Sequence, residues 1–289
     1  MLKRNKKLWS DPKWGLVLTG GGARGLAHIG VLEVLDELGL KPDIIVGTSM
    51  GAVVGGFYAA GVAPKKMKEL AAEMSLEKIV SKRARRFLLK NRNALLDYLL
   101  LEIQRQRLLK KASVRGKDKV ECYLKSVVGP VRIEKLPVPF ACNALDLVTG
   151  KEHVFDKGPL ARAIRASMSY PLALDPVRMK RMVLVDGGLI DNAPVRIARE
   201  LGAKKVVLSD VRRGLKPVPA SRLRNPFLVA QRVVQTVTTR TTEEQEVDAD
   251  FILRVPVDVE TLDFSRVPAI IRKGRTSALA AVTDISQIR

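Results

Sequence analysis

The chain has 289 residues, 46% of them hydrophobic, which is enough to bury one large core or two modest ones and too much for a disordered chain. Its two cysteines, Cys122 and Cys142, have no CxxC spacing, which argues against a disulfide framework and against a cysteine-based zinc site. With 51 basic residues against 30 acidic ones, the net charge of +21 favours anionic partners, either nucleic acid or the surface of an acidic bilayer.

Residues 1–13 form a basic extension (Lys3, Arg4, Lys6, Lys7) that runs into Trp9-Ser10-Asp11-Pro12. No apolar stretch follows, so no secretory leader is expected, which suits a cytoplasmic protein. Trp14 to Thr19 reads as a buried strand. The glycine-rich turn Gly20-Gly21-Gly22-Ala23-Arg24-Gly25 comes next. Leu26, Ile29, Leu32 and Leu35 then recur at helical spacing until Gly39.

Ile44 to Pro64 carries no charged side chain and is long enough to cross a bilayer. It holds five glycines, however, and begins as the β-branched run Ile44-Ile45-Val46. A short buried strand, a sharp turn at Thr48-Ser49-Met50 and a close-packing helix from Ala52 to Ala60 explain it better. Pro64 opens a further helix. Lys82 to Lys119 is dense in Lys and Arg around the apolar run Leu95 to Leu101, and residues 82–120 are read as a basic helical cap inserted into the fold.

After Pro139 strands and helices alternate again. Strands are expected at Phe140–Leu147, His153–Phe155, Met182–Val185, Val206–Val211 and Phe251–Val255. Helices are expected at Leu160–Ser169, Val195–Leu201 and about Pro226–Val247, with a C-terminal helical segment over 261–289. This rhythm predicts one α/β domain over 14–260, a mostly parallel sheet covered on both faces.

Gly47-Thr48-Ser49-Met50-Gly51 matches G-x-S-x-G and lies where that motif works, after a short apolar strand and before a helix. A turn that tight excludes side chains at Gly47 and Gly51, and it lifts the Ser49 hydroxyl above the sheet. A serine hydroxyl needs a base. The chain has two histidines: His28 lies in an apolar helix, as a core histidine bonded to a backbone carbonyl would, and His153 in a strand beside a turn. Neither follows the acid as the histidine of an ordinary α/β-hydrolase triad does, so a carboxylate is the remaining candidate. Asp186-Gly187-Gly188 supplies one at the end of the apolar strand Val183-Leu184-Val185, although a turn aspartate that caps local amides would read the same way.

The loop Gly20–Gly25 suits an anion, because successive glycines let backbone N–H groups converge at a helix N-terminus. It lacks the Gly-Lys-Ser/Thr end of a Walker loop. The serine turn on the very next strand favours an oxyanion over a nucleotide phosphate.

In this order the three motifs resemble those of the patatin-like phospholipase family: Gly20–Gly25 its oxyanion motif, Gly47–Gly51 its nucleophile elbow, and Asp186–Gly188 its D-G-[AG] element. Ala166-Ser167 with Pro171, and Asp191-Asn192-Ala193-Pro194, also resemble it, and the similarity covers roughly Gly15 to Pro256. The resemblance implies a three-layer flavodoxin-like core, a Ser–Asp dyad of Ser49 and Asp186, lipid acyl-ester hydrolysis, and no metal or other cofactor. It further implies oxyanion binding by amides around Gly21, Gly22 and Ala23, with Arg24 helping to hold the loop.

The basic segment Lys82–Lys119 departs from the family. It is expected to dock on anionic phospholipid, the alternative being a solvated helical face whose leucines join the core. An esterase or acyltransferase on soluble esters, or an inactive binding protein for anionic partners such as nucleic acid, are the competing classes.

Overall fold

The computed structural model describes residues 14–73 and 118–288, apart from positions 172, 216, 225 and 262. The basic extension and nearly all of the segment Lys82–Lys119 lie outside the described residues.

Eight strands form one sheet: β1 (Trp14–Leu18), β2 (Ile44–Gly47), β3 (Phe140–Asp146), β4 (Lys151–Phe155), β5 (Val177–Met179), β6 (Met182–Asp186), β7 (Lys205–Asp210) and β8 (Phe251–Arg254). Their order is β5-β6-β3-β2-β1-β7-β8, with β4 also paired to β3. The centre is parallel, β3-β2-β1-β7-β8. The other pairings, β3 with β4, β3 with β6 and β5 with β6, are antiparallel.

Helices cover both faces, which explains why the central strands are apolar throughout rather than alternating. Leu16, Leu18 and Ile45 point into the larger core, under α1 (Ala27–Glu37), α2 (Met50–Ala59), α3 (Pro64–Ala72), α4 (Lys119–Val128) and α5 (Leu160–Ser167). Val17, Ile44 and Val46 point the other way, onto Val195, Ile197 and Ala198 of α6 (Val195–Glu200). Neighbours in sequence thus take opposite faces, as the pleat requires. The uncharged stretch from Ile44 is β2, a turn and α2, whose ten residues are all buried. Among the described residues no helix is long and apolar enough to cross a membrane.

The C-terminal part completes the layer above the larger core. The long helix α7 (Pro226–Gln245) leads back to β8. Next, α8 (Val267–Ala280) packs along α1 through Val267, Ile270, Ile271 and Ala278, and α9 (Val282–Ile288) ends the described chain. Two elements go beyond the sequence expectation. β5 has three residues, too few for a periodicity to register. α4 starts at Lys119 because the Asp118 carboxylate accepts the amides of Val120 and Glu121, which are left unpaired at a helix start.

Candidate active site

The sheet brings the two motif side chains together. Gly47 of β2 pairs with Cys142 of β3 where that register ends, and Ser49 follows in the turn just beyond it. β3 runs on past that edge, and β6 returns beside it antiparallel, with Asp186 opposite Ala144. A strand arriving from the opposite direction therefore delivers its last residue beside the serine. The Ser49 hydroxyl donates to Asp186 Oδ2 at 2.6 Å.

Ser49 has φ 54°, ψ −121°, a conformation costly for a residue with a Cβ, and it stands at the start of α2. The flanking glycines permit it. A Cβ on Gly47 would lie 2.4 Å from the Gly51 carbonyl oxygen, and one on Gly51 would lie 2.2 Å from that of Leu18. The turn is held from outside as well: the Ser49 amide donates to Ser167 Oγ at 2.9 Å, and the Thr48 hydroxyl to Asn143 Oδ1 at 2.8 Å. Asn143 in turn donates to the Asp191 carbonyl at 2.7 Å and to Glu152 at 2.9 Å.

Asp186 is almost fully buried. Burial raises its carboxyl from the usual carboxylate range to about 6, against the lowering effect of the bonds from Ser49 and Gly188. At neutral pH it is ionised and more basic than a surface aspartate, as a general base should be. The Gly188 amide binds Oδ1 at 2.8 Å and leaves Oδ2 for the serine. Asp186 therefore both caps its own turn and accepts the Ser49 hydroxyl.

Among the described residues, neither histidine hydrogen-bonds to this pair. His28 is fully buried, with Nε2 2.9 Å from the Thr19 carbonyl and Nδ1 3.0 Å from Ser209 Oγ, and burial lowers its pKa to about 4. It is a neutral core residue, as expected. His153 lies in β4, edge-on to Phe155.

The glycine loop forms a tight helical turn over Gly22–Leu26 ahead of α1. Three of its amides are already engaged: Gly20 donates to Asn192 Oδ1 at 2.9 Å, Ala23 to the Thr261 carbonyl at 2.8 Å and Arg24 to the Gly21 carbonyl at 3.3 Å. This narrows the expected donor set, because an amide given to Thr261 is not available to an oxyanion. Among the described residues, no acceptor takes the amides of Gly21 and Gly22. Arg24 holds the loop as expected, its Nε on the Gly21 carbonyl and Nη2 on Thr261 Oγ1, both at 3.3 Å. Gly22 has φ +58°, and a Cβ there would meet the Thr261 carbonyl oxygen at 2.1 Å. Asn192 and Thr261 were not identified as site residues from the sequence. Asn192 was legible only as part of the family-like Asp-Asn-Ala-Pro run, and Thr261 lies 237 residues from Arg24 with no motif around it.

Next to this centre lies an apolar cavity of about 190 Å³ between α1, α2, α3 and α4. Met50 and Met168, each directly following a site residue (Ser49 and Ser167), line it, and Val54, Phe57, Met67 and Leu70 extend it away. Glu73 and Lys119 stand at its rim.

The family model described as patatin-like phospholipase matches residues 16–199. An uncharacterized NTE family protein of Mycobacterium tuberculosis is 38% identical over 188 residues, covering 64% of this chain and 45% of that protein. The lysophospholipase NTE1 of Candida albicans is 32% identical over 212 residues, covering 72% of this chain and 14% of the relative. The chain thus spans about half the length, or less, of these curated relatives. Among solved structures, VipD from Legionella pneumophila superposes with a TM-score of 0.57 at 15% identity, covering 95% of this chain and 67% of that one. That likeness is one of fold.

Proposed function

The chain belongs to the patatin-like phospholipase family, and from that premise we propose that it is a lipid acyl hydrolase working through a Ser49–Asp186 dyad. The observation that carries this reading is the 2.6 Å bond from a strained, partly exposed serine to a buried carboxylate whose pKa lies near 6.

In the first half-reaction, Ser49 Oγ attacks the ester carbonyl carbon while its proton passes to Asp186 Oδ2. The oxyanion that forms takes hydrogen bonds from the amides of Gly21 and Gly22. The ester C–O bond then breaks, the alcohol leaves with the proton from Asp186, and the acyl group stays on Ser49. Water repeats the sequence. It gives a proton to Asp186, attacks the acyl carbon, and the serine leaves reprotonated with the fatty acid released. One carboxylate serves both halves because it is restored after each.

The apolar cavity beginning at Met50 and Met168 supports a long acyl chain as the group bound. A lysophospholipid or phospholipid fits this chemistry better than a small soluble ester, which would leave the cavity unused. The basic segment Lys82–Lys119 supports peripheral contact with an anionic membrane on the cytoplasmic side.

Fatty-acid release from lysophosphatidylcholine tests the reading. Wild type is expected to turn over, and Ser49→Ala is expected to fall to the no-enzyme rate. Release that persists in Ser49→Ala would overturn it. So would rapid hydrolysis of acetyl esters with none of long-chain ones, which would favour the soluble-ester reading.

A further inference from the structure

We propose that the segment from Val211 through helix α7 is a membrane-docking face that seats the Ser49 site on an anionic phospholipid surface. The lipid substrate rests on the function proposed above, whereas the docking face rests on its own observations.

The first is charge. Between Asp210 and Glu243 there is no acidic residue, while Arg212, Arg213, Lys216, Arg222, Arg224, Arg232 and Arg240 are all basic. Arg212 is held by Asp210 and Glu246, and Arg213 by Asp258 and Glu260. Arg224 and Arg240 are exposed. Arg224 and Arg240 thus offer exposed positive charge that complements the negative potential of an acidic bilayer, while the acidic residues of α7, Glu243 and Glu244, are confined to its last turn.

The second is the helix face. Val229, Val233 and Val237 fall four residues apart, forming a single stripe along α7, and are 40%, 55% and 55% exposed. Val234 flanks the stripe, and Leu215 and Leu223 are exposed in the segment leading to it. A helix in water usually turns such a stripe inward. Here Thr242 is the one buried residue among the side chains of α7 that are described.

Composition adds a third point. Five threonines of α7 (Thr236, Thr238, Thr239, Thr241 and Thr242) each donate their hydroxyl to the carbonyl four residues back. Their hydroxyls thus need no water. A helix this rich in valine and threonine is poorly favoured in water, where β-branched residues lose side-chain freedom. At a lipid interface unpaired backbone groups are costly, and the same helix gains.

The fourth is position. The segment leaves the C-terminal end of β7, the sheet edge at which Ser49 stands, and α7 packs on the turn that follows Asp186. Gln245 Nε2 donates to the Ile190 carbonyl at 3.0 Å and fixes that end of the helix.

Co-sedimentation of the full chain with phosphatidylcholine vesicles, with and without phosphatidylglycerol, tests this. Wild type is expected to bind the anionic vesicles at least about tenfold more tightly than the neutral ones. The double variant Val233→Glu with Val237→Glu is expected to lose about tenfold of that binding. Arg224→Glu with Arg240→Glu should reduce the preference for phosphatidylglycerol several-fold, the rest being carried by the other basic residues of the chain. Both variants should hydrolyse a short p-nitrophenyl ester as wild type does, which also reports an intact fold. Unchanged vesicle binding in the valine variant overturns the proposal. So does a wild-type dimer that the valine variant splits while vesicle binding stays the same, since a second copy would then cover the stripe. Absence of ester hydrolysis from all forms would instead count against the dyad, with the vesicle result still deciding the docking face.

Discussion

Two parts of one sheet edge are built on opposite terms. At the Ser49 turn and the glycine loop, backbone meets backbone so closely that a single Cβ would collide, and nearly every polar atom has a fixed partner. A few residues away, α7 rests on the same edge by one end and exposes a row of valines. Under the proposed function the first region would hold charge in place for chemistry, where a displacement of one ångström is expensive. The second presents surface, where tolerance is expected. The contrast separates residues whose substitution should change turnover from those whose substitution should change only what the protein adheres to.

The sharpest challenge to that contrast is Gly22→Ala. The added methyl would meet the Thr261 carbonyl and displace the Gly21 and Gly22 amides, so kcat should fall by roughly 100- to 1000-fold with KM little changed. A variant with near-normal turnover would show that the loop is not rigid. Asn192→Ala, which frees the Gly20 amide, should cost about tenfold in kcat. A pH profile of kcat/KM on an uncharged ester should rise through about pH 6 as Asp186 ionises, and stand about tenfold lower at pH 5 than on its plateau. A profile that is flat from pH 5 to 8 would exclude Asp186 as the base.

Asp191 sharpens the comparison from the side of stability. Burial, with Glu152 nearby, raises its carboxyl to about 7, far above its value in an unfolded chain. Between about pH 4 and 7 the folded state therefore binds the extra proton. This group's contribution to stability declines as pH rises through that window. Asp191→Asn should accordingly stabilise the protein by roughly 1–2 kcal/mol at pH 8 and by nothing near pH 4, as followed by thermal unfolding. The smallest effect belongs to the exposed helix: Val237→Ser should stay within about 0.5 kcal/mol of wild type.

The same contrast accounts for what could be read from the sequence. Gly47, Gly51 and the glycine loop were legible because close backbone approach leaves no other residue available. Asp186 was legible because it ends an apolar strand, and Ser49 because it sits in the glycine-flanked turn just after one. His28 could be set aside because its neighbours repeat at helical spacing. The partners that hold the loop were not legible for an equally physical reason. Thr261 accepts the Ala23 amide through its main-chain carbonyl, a group that every residue carries and no motif marks. The place of Asp186 beside Ser49 depends on β6 running antiparallel to β3, a pairing direction that the strand sequences do not encode. The helix α7 was legible as a helix, while the exposure of its valines depends on what the fold leaves uncovered.

The central claim is that Ser49 is an activated nucleophile and Asp186 its base. Labelling with a fluorophosphonate probe tests it most directly, comparing wild type with Ser49→Ala and Asp186→Asn. The account predicts rapid labelling of wild type, none of Ser49→Ala, and labelling of Asp186→Asn at least about 100-fold slower. Wild type that stays unlabelled even with anionic vesicles present, or label that persists in Ser49→Ala, would contradict it.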